Sequence, residues 1–269
     1  MLDLIAQVES APGPGETVLG QRLDTHPGGR GFNQAIAAVR LGCAVELVPR
    51  VGNDEPRSLF LETLDRDGIG RAHVSVDADH GTGTSLIVAT PGANLALTPA
   101  HVAEASASLA SPGALLLSFE VPLDALNAAS AQPIPDDLAV RLDVLIVNEI
   151  EASALTGAAV ESIDAALRAA DRLRALVRRA AVVTLGEQGA VFTAAGASGH
   201  LPAFETDVRD TTGAGDAFCS ALAFALATGY AIQNAVGLAN AAGSLATRTP
   251  GAAPAMPTAD AVLTLAGAP

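Results

Sequence analysis

Asp216 directly follows Gly213-Ala214-Gly215 in the stretch RDTTGAGDAF and leads into the apolar run AFCSALAFAL. Strands tolerate glycine poorly and helices start well on Asp, Ser or Thr, so the spacing predicts a strand, a tight turn and a helix N-terminus. Without Cβ atoms at Gly213 and Gly215 the backbone can approach a ligand closely with its N–H groups outward, and the helix adds its positive end. That arrangement holds an anion without any basic side chain. An aspartate beside it is placed to take a proton from an attacking hydroxyl while negative charge develops. A plain N-cap is the competing account of Asp216, but it leaves the two preceding glycines unexplained.

What the chain lacks narrows the chemistry further. All 15 basic residues are arginine and lysine is absent, which excludes a P-loop lysine, the strand lysine of protein kinases and a lysine Schiff base. Phosphate must therefore be met by backbone amides, metal ions and arginine. A net charge of −14 opposes non-specific binding to nucleic acid or anionic membranes. Cys43 and Cys219 have no CxxC spacing and read as buried thiols, and the 5 histidines show no ligand spacing. His26, near the glycines at 28 and 29, reads as a locally bonded loop residue. No apolar run of about 18 residues and no secretory leader appear, so the expectation is a cytoplasmic protein without a membrane span. A dinucleotide-binding oxidoreductase is disfavoured, because no GxGxxG follows an early strand.

These residues need a frame. At 269 residues and 49% hydrophobic composition the chain can bury the core of one α/β domain covering 1–269. VELVPRVG from Val45, GALLLSFE from Gly113, VLIVNE from Val144 and AAVVTLG from Ala180 read as short buried parallel strands. GFNQAIAAVRLG from Gly31 and SIDAALRAADRLRALVRRA from Ser162 repeat apolar residues at helical spacing, with arginines opposite. The alternation predicts a parallel sheet with helices on both faces. Segments at about 15–27 and 72–91 instead alternate apolar with polar residues and read as a small, half-exposed sheet. Ligands of open α/β sheets bind outside the carboxyl ends of the strands. Glu120, Asn148, Glu151, Thr184 and Gly186 fall there. Singly, each has a plain account: Asn148 as a cap, Glu151 as dipole compensation, Gly186 as a turn. Gathered at one edge, they mark a site.

GGRGFNQAIAAVRLG from Gly28 and DTTGAGDAFCSALAFAL from Asp210 resemble the two signatures of the ribokinase-like (PfkB) carbohydrate kinases. NEIEASALTG from Asn148 and VTLGEQGA from Val183 stand between them, and PGETV from Pro14, GANLALTP from Gly92 and FEVPLD from Phe119 follow the family order. The resemblance spans nearly the whole chain. It implies a three-layer α/β/α sandwich with a mainly parallel central sheet and a small β-sheet lid. It also implies an ATP-dependent kinase acting on the primary hydroxyl of a small sugar, ribose or another pentose first. Another furanose or a nucleoside stays open as substrate, as does a degenerate relative that binds sugar or nucleotide without turnover.

By the same resemblance, Asp216 is the catalytic base and Gly213, Ala214 and Gly215 supply the anion-hole amides. Asp3, Gly28, Gly29, Arg30 and Asn33 meet the sugar, with Glu120 near it. Asn148 and Glu151 hold magnesium through its water shell, while Asn148, Thr184, Gly186 and Asn240 border ATP. Asp210 and the carbonyl of Thr212 resemble a monovalent-cation site, for potassium. Family members often pair through the lid, so a homodimer is one expected assembly.

The chain departs from the family in places. Arg30 and Phe32 stand where lysine and alanine are usual, and arginine keeps the charge while changing the hydrogen-bond fork. A core strand before Asp3, a lid strand between SLIVAT and PGANLALTP, and a core strand after ALNAASAQPIPDD are missing. Each loss removes a pairing edge, so a narrower or rearranged sheet is expected.

Overall fold

The structure, a computed structural model, describes residues 1–10, 13, 15–85, 89–90, 92–105, 113–117 and 142–267. Its first part contains β1 (Leu2–Gln7), β2 (Arg22–Pro27), α1 (Arg30–Arg40), β3 (Arg50–Gly52), α2 (Pro56–Asp67) and β4 (Ser75–Asp77). The short strands β5 (Thr84–Ser85) and β6 (Ala89–Thr90) and helix α3 (Pro99–Glu104) come next. The second part holds β7 (Val144–Asn148), α4 (Glu149–Thr156), α5 (Ile163–Arg174), β8 (Ala180–Thr184), β9 (Ala190–Ala194) and β10 (Ala197–Leu201). It ends with α6 (Ala214–Ala227), α7 (Ile232–Ala246), α8 (Ala252–Ala255) and α9 (Ala259–Ala266).

Strands β8 and β9 show how the layers arise. Side chains alternate across a strand, and the antiparallel register pairs Val182 with Phe192 and Val183 with Val191. Val182 and Phe192 share a core with residues of α1, α2, α6, α7 and α9. Val183 and Val191 join Ala166, Ala170 and Leu173 of α5 and Ala152 of α4 in a second core. One sheet thus carries helices on both faces, giving the expected helix–sheet–helix layering. A slip of one residue would exchange the two faces, and each Val or Phe so buried contributes roughly 1.5–3 kcal/mol. Small residues dominate where α6 and α7 meet, with Ala221, Ala225, Ala235, Ala239 and Ala242 all buried.

The strand order of the main sheet is β10-β9-β8-β7, parallel at β7·β8 and antiparallel elsewhere. β3 and β4 form a separate parallel pair. Among the described residues no strand joins these two sheets.

Two strand expectations need correction. Of VELVPRVG only Arg50–Gly52 is a strand. In GALLLSFE, residues 113–117 form none, and Leu115 and Leu116 are exposed, because no neighbouring strand among the described residues offers them a ladder. The remainder of that run, with Glu120, lies outside the described residues, as does FEVPLD.

The small sheet has the order β2-β1-β5-β6. Its central strand, Leu2–Gln7, falls outside both segments read as lid, and residues 16–20 form no strand. Ser75–Asp77 pairs with Arg50–Gly52 in the body, so the part of 72–91 that joins the small sheet begins only after it. The crossing point is pinned: Asp54 accepts from both Thr82 N and Thr82 Oγ1 at 2.6 Å, and Gly52 N donates to Thr82 Oγ1 at 2.9 Å.

Candidate active site

Asp216 lies in the first turn of α6, whose N-cap is Gly213 with φ 80°, and no side chain caps this helix. Only glycine suits that position. The left-handed backbone disfavours a side chain, and an added Cβ would stand 2.9 Å from Ala252 and 2.8 Å from Met256 Cε. At Gly215 an added Cβ would meet open space, so that glycine leaves a clear approach to the helix end. Ala214, between them, starts the helix, and α7 comes close behind it at Gly243, where an added Cβ would be 3.3 Å from Ala214 O.

The carboxylate of Asp216 is gripped from α1. Asn33 Nδ2 donates to Oδ2 at 2.9 Å and Gln34 Nε2 to Oδ1 at 3.1 Å. Asn33 is only 5% exposed, and its Oδ1 has no hydrogen-bond partner. A buried acceptor left empty is uncommon and asks for a donor from elsewhere. Helix α1 itself begins at Gly29, φ 93°, again without a side-chain cap. Gly28 lies so close to Asp3 that any Cβ there would collide with the Asp3 carboxylate. Asp3, Gly28, Gly29, Asn33 and Asp216 are therefore linked in one wall of contacts.

The opposite wall is built by the carboxyl ends of two parallel strands, where Asn148 pairs with Thr184. Asn148 caps α4 by accepting from Glu151 N at 2.8 Å, and Glu151 Oε2 accepts from Asn148 N at 3.0 Å. The other oxygen of Glu151 stands 3.6 Å from Arg30 Nη2, with both side chains partly exposed. Such an open pair is worth little as a stabiliser. Its value is positional, because it spans the two walls. Thr184 Oγ1 reaches Val147 O at 3.4 Å, and Gly186 opens the turn Gly186–Gln188, with free space at its Cβ position.

Three residues after Asp216 in α6, Cys219 marks the electrostatics. Burial first, then the charges of Asp216 and Glu151, push its thiol up to about 12, with Arg30 opposing.

Asp210 sits in a separate loop pocket. Its Oδ1 accepts from Thr212 Oγ1 at 2.6 Å and Thr212 N at 2.9 Å, and its Oδ2 from Gly251 N at 2.7 Å. Burial alone would raise its carboxyl, but these hydrogen bonds and the nearby His26 hold it below the usual carboxylate value. His26, read from sequence as a loop residue, is in β2 opposite Asp3 and close to Gly251.

Asn240 stands apart from these contacts. It is buried in α7, with Nδ2 donating to Leu201 O at 2.9 Å and Pro202 O at 3.0 Å, and so ties the helix to the end of β10. Three contributors escaped the sequence reading: Gln34, the Arg30–Glu151 link and Cys219. Only Gln34 had a signal, a polar side chain on the apolar helical pattern beside Asn33.

With this geometry in place, comparison with known proteins is decisive. The model of the pfkB family carbohydrate kinases matches residues 1–131 and 119–259. The chain belongs to the pfkB family of carbohydrate kinases. Ribokinase of Bacillus subtilis (strain 168) is 33% identical over 290 residues, covering 97% of this chain and 94% of the relative. The solved structure of Arabidopsis thaliana ribokinase complexed with ribose and ATP is similar at TM-score 0.82 and 27% identity, covering 98% of this chain and 95% of that one. Thermotoga maritima ribokinase gives TM-score 0.84 and 27% identity over the same shares, 98% and 95%. The ribokinase-like α/β fold follows. No helix among the described residues is long and apolar enough to cross a membrane.

Proposed function

We propose that this carbohydrate kinase transfers the terminal phosphoryl group of ATP to the primary hydroxyl of ribose or a closely similar pentose. The observation that carries the reading is the pairing of Asp216 with Asn33, whose buried Oδ1 lacks a donor. A sugar hydroxyl supplies that donor while a neighbouring hydroxyl meets the base. The alcohol proton passes to Asp216, its oxygen bonds to the γ-phosphorus, and the bond to the β–γ bridging oxygen breaks to release ADP. Gly213, Ala214 and Gly215 present the helix end to the developing charge. Arg30 supplies the positive charge that the family's lysine usually brings.

Asn148 and Glu151 offer the oxygen donors that suit magnesium bound through water. Among the described residues no cluster of three or more His, Cys, Asp or Glu side chains could hold a metal by itself, so the phosphates would complete the shell. Thr184 and Gly186 border the nucleotide. Asp210 and the Thr212 carbonyl form an all-oxygen set suited to a monovalent cation such as potassium, next to the loop that starts α6. When bound, magnesium would neutralise phosphate charge and the monovalent cation would organise the loop that starts α6; Asp216 alone moves the proton.

A coupled ADP-release assay tests this with ribose, 2-deoxyribose and a nucleoside panel, with and without potassium. Sugar-dependent release with ribose or a close pentose, falling about 10²- to 10⁴-fold in kcat on Asp216→Asn, is expected. Retained ATP binding without any sugar-dependent turnover would establish a non-catalytic binder.

A further inference from the structure

Asp216 is held by two consecutive residues of one helix. Successive helical side chains point about 100° apart, so Asn33 and Gln34 reach the same carboxylate only because it sits between them, one on each oxygen. Gln34 is also tied through its main chain, its carbonyl accepting from the buried Ser220 Oγ at 3.0 Å. Asp216 and Ser220 are one turn apart on the same face of α6. Both ends of Gln34 therefore lock onto one strip of that helix, and the residue is itself buried.

We propose that Gln34 is a positioning residue: it holds Asp216 Oδ1, so that Oδ2, shared with Asn33, is the oxygen turned toward the sugar hydroxyl. The inference rests on the kinase reading above and deepens it. A donor on Oδ1 disfavours protonation there and fixes the plane of the carboxylate. The empty Oδ1 acceptor of Asn33 lies on the Oδ2 side, which places the substrate's hydroxyls there. Asn33 touches the sugar; Gln34 acts only through the base.

Gln34→Met keeps the length and removes the donor, and Gln34→Glu keeps the shape while setting a second negative charge against Asp216. In both, kcat falls about 10- to 100-fold, the range for losing a hydrogen bond to a charged group. KM for sugar and for ATP stays within about three-fold, since ground-state binding is untouched. Crystal structures of the variants show the Asp216 carboxylate rotated away from Asn33. A merely structural Gln34 would lower the melting temperature and leave kcat and the carboxylate in place, which overturns the proposal, as does a rise in KM alone. Absence of sugar-dependent turnover in the unaltered protein defeats the kinase reading instead, and the crystal structures then decide the positioning role by themselves.

Discussion

Helices α4 and α6 start on opposite sides of the same cleft and carry the same device, an acid three residues beyond the N-cap. In α4 the cap is Asn148, and it and Glu151 satisfy each other's backbone N–H groups. The helix end closes on itself. In α6 the cap is Gly213, which offers no side chain, and Asp216 turns away to the amides of α1. Equal spacing thus serves two purposes, and the cap residue decides which. An acid in the first turn is left free for a partner elsewhere where the residue before the helix is silent, and is engaged in the cap where that residue answers back.

Substitutions at the two helix starts separate these roles. The largest effect belongs to Gly213→Ala: forced into a left-handed backbone against Ala252 and Met256, it costs about 1–3 kcal/mol or more and abolishes turnover, read by urea unfolding and ADP release. Gly215→Ala has room and sits inside the helix, so unfolding stability rises by about 0.5–1 kcal/mol while kcat falls through a blocked approach. Were both properties to fall together, the open side of α6 would not be the anion hole.

Across the cleft, Asn148→Ala removes a cap worth about 1 kcal/mol. Glu151→Gln retains the capping pair, because glutamine fills that position too. Its melting temperature is unchanged, whereas the magnesium concentration for half-maximal rate rises. An unchanged magnesium titration would reduce Glu151 to a cap.

The smallest effect is electrostatic. Asp77 is held well below the usual carboxylate range, first by the N–H groups of Asp79 and His80 and then by Arg50, and Asp210 is lowered as well. Lowered carboxyls stabilise the fold fully above the unfolded aspartate pKa of about 3.9, and that stability is lost as pH falls through their folded values. Melting temperature therefore drops below about pH 4, and Asp77→Asn flattens that slope.

Much of the site was legible because its residues are punctuation. Asn148 and Thr184 end short apolar runs, the second of them buried on both faces, and those two strands lie where their β-branched residues put them. Asp216 announced itself through the glycines before it. GALLLSFE misled because an apolar run states a wish for burial without naming the neighbour that provides it. The small sheet was displaced for a similar reason: LDLIAQ carries Asp3, and nothing local says that this strand also pairs with both Arg22–Pro27 and Thr84–Ser85. Gln34 showed itself only as a polar side chain on an apolar helical pattern, and its partner, 182 positions away, could not be read from the chain.

Cys219 has a consequence for reactivity. A sulfur anion is a stronger nucleophile than an alcohol, and Cys219 follows Asp216 by three residues in α6. With its thiol pushed up to about 12, by burial first and then by the charge of Asp216, it stays protonated at neutral pH. A protonated thiol is a weak nucleophile, so the carboxylate charges of Asp216 and Glu151 that raise it also quiet it.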